Sequence, residues 1–306
     1  MDDAERQLAL EGAARRRVAA FAVLAGLLYF GGELWSSLIE AKDPSVGILQ
    51  GLAPALRGQR AAPIDPRTIH EHFLVNHQVT LIIALVAIGL GAAAMSVPLR
   101  YLADAENLRS PAASRVTPYL ARFAPLLIAI FLPIYEISLI IGAHSYLSGT
   151  ARTSHAVSQA TGGGVRTVLV LLATLGTLSV AATFVLVSLR SMRVGLLTRM
   201  MGGVGIVAGI LFVIPLTPLP VVQGLWLVFF GAMLLEFGGR PLPEAWTVSE
   251  ARPWPSAPPR NQRRGGPRPG RPGRVGRAAA APPPAPEPVV QRGPSPSASK
   301  KRKRRR

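Results

Sequence analysis

Six apolar stretches follow one another along the first 239 residues. The length of each is close to that of a helix that crosses about 30 Å of hydrocarbon, which is about 20 residues. They cover residues 18–39, 79–99, 123–146, 167–189, 200–216 and 221–239. Only 16% of the residues are charged, whereas soluble domains average about 25%. The pattern predicts an all-α integral membrane bundle of six transmembrane helices, preceded by residues 1–17 and followed by a disordered basic tail, residues 240–306.

The fifth and sixth stretches are the shortest, and the proline-rich turn at 217–220 separates them. Proline ends a helix because it has no backbone N–H and its ring clashes with the preceding turn. A full crossing by either stretch lies near the short end of the usual range of about 17–25 residues. A re-entrant hairpin is therefore the alternative to two separate spans.

The first stretch follows three consecutive arginines, as the apolar core of a signal peptide would. Its 22 residues exceed that core, which has about 7–15 residues. The stretch also contains Glu33, and no clear A-x-A cleavage site follows it. The pattern favours a permanent membrane anchor over a cleaved signal.

Arginines cluster in three places that six spans bring to one side of the membrane. They precede the first stretch, connect the second to the third, and connect the fourth to the fifth. The positive-inside rule assigns such a side to the cytoplasm. Together with the basic tail, the clusters predict a multi-pass protein of the bacterial cell membrane with both termini cytoplasmic. The clustered residues are Arg6, Arg15, Arg16 and Arg17, then Arg100, Arg109, Arg115 and Arg122, then Arg190, Arg193 and Arg199.

The basic tail differs in composition from the rest of the chain. It holds 17 of the 34 lysines and arginines but only three acidic residues, and it ends in seven consecutive cations from Lys300 to Arg306. A proline- and arginine-rich segment with so little apolar surface is expected to be disordered. Its charge predicts contact with anionic lipid headgroups, or with RNA or ribosome phosphates; a solvated extension without a specific partner is the third interpretation. No aromatic residue follows Trp254, so any nucleic-acid contact would be electrostatic.

Three of the five histidines cluster just before the second stretch, where a metal or haem site is the first hypothesis. Two metal ligands on one helix are three or four residues apart, but His70 and His72 face opposite ways. His70 and His77 share a face yet lie about 10 Å apart along the axis, too far for one ion with bonds of about 2 Å. The cluster by itself predicts helix surface, with no metal or cofactor. His144 and His155 also fall on the outer side, which leaves open a site formed across loops.

Glu33 and Glu136 stand inside the first and third stretches. A charge at the middle of a bilayer costs about 2.5–3.5 kcal/mol or more, so such residues usually face a cavity, a partner or a proton path. Both spans run in the same direction, which predicts similar depths for the two carboxyls. Tyr135 and His144 extend the polar track of the third helix. These four residues form the candidate intramembrane polar site, either a substrate- or proton-binding chamber or a pair of protonated carboxyls that join helices.

No catalytic motif points to an enzyme. The chain contains no P-loop, no G-x-G-x-x-G after a strand, no G-x-S-x-G and no H-E-x-x-H, and the lack of cysteine excludes disulfides and thiolate metal sites. Small residues at 205–209 predict close helix packing, within one bundle or between two copies. The sequence favours a structural or interaction protein of the membrane. The alternative is a small-solute or proton-coupled permease that uses Glu33 and Glu136.

Two stretches, SLRSMRVGLLTRMMGGVGIVAGILFVIPL and PEAWTVSEARPWPS, and the basic residues that follow them resemble a group of uncharacterised bacterial multi-pass membrane proteins. The resemblance extends from the fourth span to the tail. It implies a helical membrane bundle with a disordered basic tail. It implies no activity, ligand or cofactor.

Overall fold

The structure is a computed structural model that describes residues 3–44, 57, 66–110, 115–149, 154–214, 216, 219–239 and 241–254. Within these ranges the chain forms helices and no strand, which confirms the all-α fold class. The helices are α1 (Asp3–Glu40), α2 (Pro66–Arg109), α3 (Val116–Ser148), α4 (Ser154–Thr161), α5 (Gly164–Val194), α6 (Arg199–Val213) and α7 (Val221–Leu234), followed by a 3-10 turn at Glu244–Trp246.

Four of these helices, α1, α2, α3 and α5, are long and apolar enough to cross a membrane. The helices α6 and α7 have 15 and 14 residues, so their lengths are about 22 Å and 21 Å. Both are shorter than the hydrocarbon core of a bilayer, which is about 30 Å thick. Helix α6 is shorter than its apolar stretch because it ends at Val213, close to Pro215 in the sequence. The fold is thus of a membrane type with four helices of spanning length, where the sequence predicts six.

The helices α1, α2, α3, α5, α6 and α7 pack in that order as a closed ring, because α7 returns to α1. Helix α2 also contacts α5 across the ring, and the short α4 packs on α3. Residues near the start of α1 contact residues near the end of α2, and each later pair of neighbouring helices in the ring also contacts start to end. Neighbouring helices in the ring are therefore antiparallel. Helices α6 and α7 therefore form a hairpin that closes the gap between α5 and α1.

Glycines allow the closest helix contacts in the ring. A Cβ added at Gly91 of α2 would lie 2.8 Å from the Cα of Tyr29 in α1. A Cβ added at Gly26 of α1 would lie 2.6 Å from the carbonyl oxygen of Gly224 in α7. Side chains at these positions would push two backbones apart, which is the usual role of small residues between membrane helices.

The small residues at 205–209 pack against helix α5. A Cβ added at Gly209 would lie 2.8 Å from the carbonyl oxygen of Ala181, and one at Gly205 would collide with the hydroxyl of Ser188. Gly205 also faces the indole nitrogen of Trp226 in α7. The interpretation of this pattern as packing within one bundle is therefore confirmed.

The core is apolar and aromatic, and so is much of the outer surface. Trp226 stacks on Phe230 with ring centroids 5.5 Å apart and meets the edge of Phe184 at 5.2 Å. The Trp226 indole N–H donates to the carbonyl of Met201. Large apolar side chains such as Leu27 and Ile83 are more than half exposed on the long helices. An exposed apolar belt of this kind marks a surface that contacts lipid or another protein.

The first residues of the basic tail fold back onto the bundle. The segment 241–254, here called the tail root, contains the 3-10 turn, with Ala245 and Trp246 buried. The compact part of the chain extends to Pro255. The structure therefore differs from the prediction that disorder begins at residue 240, because two tryptophans supply apolar surface that the proline-rich composition conceals. The disorder predicted for 255–306 lies outside the described residues.

Candidate functional site

The side chain of Arg109, at the end of α2, is completely buried, and each of its three nitrogens donates at least one hydrogen bond. It donates two hydrogen bonds to the Glu11 carboxylate, of 3.3 Å and 3.0 Å. Its Nε donates to the carbonyl of Ala245 at 2.6 Å, and Nη1 also donates to the carbonyl of Ala105 at 2.7 Å. Its side chain is 0% exposed and that of Glu11 is 10% exposed. One guanidinium therefore connects α1, α2 and the tail root.

Aromatic rings complete this arrangement. Tyr101 stacks on Trp246 with centroids 5.5 Å apart, and its hydroxyl donates to the carbonyl of Glu11 at 3.0 Å. The guanidinium carbon of Arg109 lies 5.7 Å from the Trp246 ring centroid, within the range of a cation–π contact. We name Glu11, Tyr101, Arg109, Ala245 and Trp246 the terminal clamp.

Two tryptophans and one backbone group dock the tail root onto the loop after α5. The indole N–H of Trp246 donates to the carbonyl of Leu196, and that of Trp254 donates to the carbonyl of Leu197, both at 2.9 Å. The backbone N–H of Arg252 donates to the carbonyl of Val194, also at 2.9 Å. The bond to Val194 satisfies a carbonyl that the end of α5 leaves without a helical partner, and the other two satisfy carbonyls of the loop that follows. The attachment of the tail root therefore depends on both tryptophans.

A second buried pair lies at the same end of the bundle. Arg190 of α5 is 3.4 Å from the carboxylate of Glu106 in α2 and donates to the hydroxyl of Thr117 in α3 at 2.9 Å. Glu106 is 2% exposed. Because Glu11 also lies at this end, both ends of the described chain meet there, and we call it the clamped end.

Glu33 of α1 and Glu136 of α3 lie at a similar level along α2, against which both helices pack. Both residues are half-buried, and Glu33 lies within electrostatic range of Glu136 and of Glu40. Ser36 donates to the Glu40 carboxylate at 2.9 Å. Carboxylates therefore gather in the half of the bundle away from the clamped end.

Packing against α2 explains why the two glutamates share a level. A Cβ added at Gly32 would lie 2.9 Å from the backbone nitrogen of Ile88. The next residue of α2, Gly89, faces Pro133 of α3, with 3.2 Å between an added Cβ and the proline ring. Each glutamate follows its contact residue by one turn or less.

The other two predicted members of the polar site have different surroundings. His144 is exposed, and its Nε2 forms a 2.7 Å hydrogen bond with the side-chain oxygen of Gln78 in α2. It lies two turns beyond Glu136, about 12 Å along the helix. Tyr135 is half-buried, and its carbonyl accepts a hydrogen bond from Ser138. The structure thus places two of the four candidates, Glu33 and Glu136, at a similar level along α2.

The histidines have separate local partners. His70 bonds the carboxylate of Asp43 at 2.7 Å, and the Nδ1 of His77 bonds the carbonyl of Phe73 at 3.0 Å. His72 and His155 are exposed. Among the residues that the structure describes, no three histidine or acidic side chains are placed to hold one metal ion.

Arg166 is a polar contact that the sequence analysis missed. Its guanidinium lies across Gly142 and donates to the carbonyl of Ser138 in α3. The sequence contains a signal for this contact. An arginine at the start of an apolar stretch needs a polar partner, and Gly142 on the adjacent helix leaves room for its guanidinium.

No protein-family model matches the chain, and the comparisons with curated proteins and with solved structures found no match. The resemblance to uncharacterised bacterial membrane proteins therefore stays a prediction.

Proposed function

We propose that this chain is a multi-pass membrane protein with a structural or interaction role, in which a rigid helical bundle presents a polybasic tail at the cytoplasmic face. The terminal clamp is the observation that carries the proposal. It connects the tail root to α1 and α2 through a buried, bidentate ion pair. A bundle that holds the base of its tail in this way gives the tail a defined point of departure.

We further propose six passages, with α6 and α7 as the fifth and sixth, and cytoplasmic termini. Four helices of spanning length and the α6–α7 hairpin complete one ring. The arginine clusters of the sequence fall at the clamped end, as Arg15, Arg109 and Arg190 illustrate. The positive-inside rule assigns that end to the cytoplasm.

Removal of residues 256–306 is expected to abolish polyanion binding without unfolding the bundle. These residues carry 15 lysines and arginines and one acid, Glu287, and basic residues near a phosphate surface contribute about 1 kcal/mol each. We expect a loss of at least about tenfold in RNA or anionic lipid recovered after crosslinking in cells. The truncation should end at Pro255, because an earlier stop at Arg252 would remove Trp254, which bonds Leu197.

A second test variant keeps the length of the chain and replaces only the cations from Lys300 to Arg306 with glutamine. It should lose most of the crosslinked polyanion while the tail root stays protected from protease. Recovery of RNA would identify a nucleic acid or the ribosome as the partner of the tail. Recovery of lipid without RNA would identify the membrane surface as the partner. Equal recovery from all three chains would refute a polyanion-binding tail.

A permease is the second candidate, because the half-buried Glu33 and Glu136 lie at a similar level within helices of spanning length. Below Glu33, the buried ring of Tyr29 lies 6.0 Å from that of Phe212. This apolar packing between the glutamates and the clamped end supports the structural role over the permease.

Glu33→Gln and Glu136→Gln distinguish the two candidates. Each variant keeps the size and the hydrogen-bonding capacity of the side chain but removes its charge and its proton exchange. We expect each variant to retain uptake and tail crosslinking at the level of the unchanged chain, with Glu5→Gln, exposed on α1 at the clamped end, as the control. A proton-coupled permease would instead lose uptake by about 100-fold or more in both variants.

A further inference from the structure

An open cavity of about 340 Å³, with both apolar and polar lining, lies between the end of α2 and the start of α3, at the clamped end. Three arginines line it, Arg100, Arg115 and Arg122, together with Asp104 and Tyr119. The terminal clamp uses none of these residues. The cavity is therefore separate from the contacts that hold the tail root.

The cavity carries an excess of positive charge. Arg100 pairs with Asp104, with 3.3 Å between the guanidinium and the carboxylate. Arg115 and Arg122 are both exposed, and among the residues that the structure describes neither has a carboxylate within 4 Å. Arg109 and Arg190, on the same side of the bundle, each have a carboxylate partner. Two of the three cavity arginines thus remain available to an anion.

The cavity lies at the level of the lipid headgroups. Arg100 directly follows the apolar stretch 79–99, and Arg122 directly precedes the stretch 123–146. Tyr119 is 64% exposed, and amphipathic rings prefer the boundary between hydrocarbon and headgroups. Phe123 is 49% exposed beside Arg122, whose guanidinium carbon lies 5.3 Å from the ring centroid. A lipid seated here would have its phosphate among arginines and its acyl chains on an apolar surface.

We propose that this cavity binds the headgroup of an anionic phospholipid that carries two phosphodiesters. Guanidinium groups bind phosphate oxygens in a bidentate manner, and basic pockets between membrane helices on the cytoplasmic side suit such headgroups. Three arginines and one aspartate give a net charge of +2, which matches two phosphodiesters. The bound lipid would join α2 to α3 from the outside, opposite the connection that the terminal clamp makes from within.

Native mass spectrometry of the full chain tests the proposal by counting bound cardiolipin, phosphatidylglycerol and phosphatidylcholine. The test variant is the double substitution Arg115→Gln and Arg122→Gln. The matched control is Arg16→Gln and Arg17→Gln, which removes two exposed arginines of α1 at the same end. The basic tail is present in every chain, so its own lipid binding cancels in the comparison.

We expect the cavity variant, which removes two charge-assisted contacts, to bind cardiolipin at least about tenfold more weakly, and the control to change by less than about twofold. Asp104→Asn should bind it about two- to fivefold more tightly, because it releases Arg100 from its acidic partner. A gain of this kind does not arise from misfolding. Equal losses in the cavity and control variants would overturn the proposal, as would no change in Asp104→Asn.

Inorganic phosphate and glycerol 3-phosphate distinguish a lipid from a free phosphate compound. We expect neither to displace cardiolipin at millimolar concentration, because neither has acyl chains to contact the surface beside Phe123. Displacement by either compound at the concentration of the lipid would assign the cavity to a soluble phosphate and overturn the lipid assignment.

Discussion

Arg109→Ala is expected to lower the free energy of unfolding by about 3–5 kcal/mol, the usual cost of leaving one partner of a buried ion pair alone. The Glu11 carboxylate would lose both of its hydrogen bonds from the guanidinium, and the carbonyls of Ala245 and Ala105 would lose the hydrogen bonds that the Arg109 side chain donates. The tail root would keep only its bonds to residues 194–197, so we expect it to open more often. Denaturant titration in mild detergent measures the first effect, and protease cleavage within 241–254 measures the second.

Arg100→Ala is the matched control for this prediction. Its side chain is 48% exposed and pairs with Asp104 at 3.3 Å, and exposed pairs contribute at most about 1 kcal/mol. Adding Glu11→Gln to Arg109→Ala should recover part of the loss, because the second change removes the unpaired buried charge. Similar small losses for Arg109→Ala and Arg100→Ala would show that the terminal clamp does not stabilise the bundle.

Gly91→Leu is expected to prevent α1 and α2 from packing, with a loss of folded protein. The added Cβ would lie 2.8 Å from the Cα and 2.9 Å from the Cβ of Tyr29, so the backbone of α1 must move. Overpacking commonly lowers the free energy of unfolding by about 1–3 kcal/mol. We expect a larger loss here, because the collision involves backbone atoms. The monodisperse fraction after size-exclusion chromatography in detergent measures the effect.

Gly31→Leu controls for the added apolar surface and for the higher helix propensity of leucine. Nothing lies within 4 Å of a Cβ added at Gly31, which is exposed on α1. We expect this variant to fold with an unchanged or slightly higher yield, since leucine forms helices better than glycine by about 1 kcal/mol. Equal folded yields for the two variants would mean that α1 and α2 do not approach each other at Gly91.

The membrane class of the fold could be predicted because it depends on local properties of the sequence. The apolar stretches are long and carry few charges, and the structure places helices over all six of them. The packing of 205–209 within the bundle follows from the absence of bulky side chains there. Helix length was less predictable in the hairpin, because α6 ends before Pro215 while the apolar composition continues.

The terminal clamp could not be predicted, because it depends on contacts between distant parts of the chain. Glu11 and Arg109 are 98 residues apart, and Arg109 and Ala245 are 136 apart. In the sequence, Arg109 looks like one more topology-setting cation and Trp246 like part of a proline-rich tail. Two tryptophans within a segment otherwise poor in bulky apolar residues were the available signal, since such residues rarely stay in water when a helix end offers a partner.

In the polar site, too, some features follow from local sequence and others depend on tertiary contacts. The positions of Glu33, about two-thirds along its span, and Glu136, just past the middle of its own, predict similar depths, and the structure places the two residues at a similar level along α2. The partner of His144 was not predictable, because it depends on the register between α2 and α3, which Gly89 and Pro133 determine through tertiary packing.

Single-cysteine labelling in intact cells tests the central claim, a six-passage bundle with the clamped end in the cytoplasm. The chain has no cysteine, so each introduced thiol reports alone: Gly12→Cys at the clamped end, Ser158→Cys at the opposite end, and Leu216→Cys in the α6–α7 turn. We predict that a membrane-impermeant maleimide labels Ser158→Cys and Leu216→Cys from outside, and labels Gly12→Cys only after permeabilisation. Labelling of Gly12→Cys in intact cells would contradict the orientation, and a Leu216→Cys thiol that stays unlabelled from outside would contradict six passages.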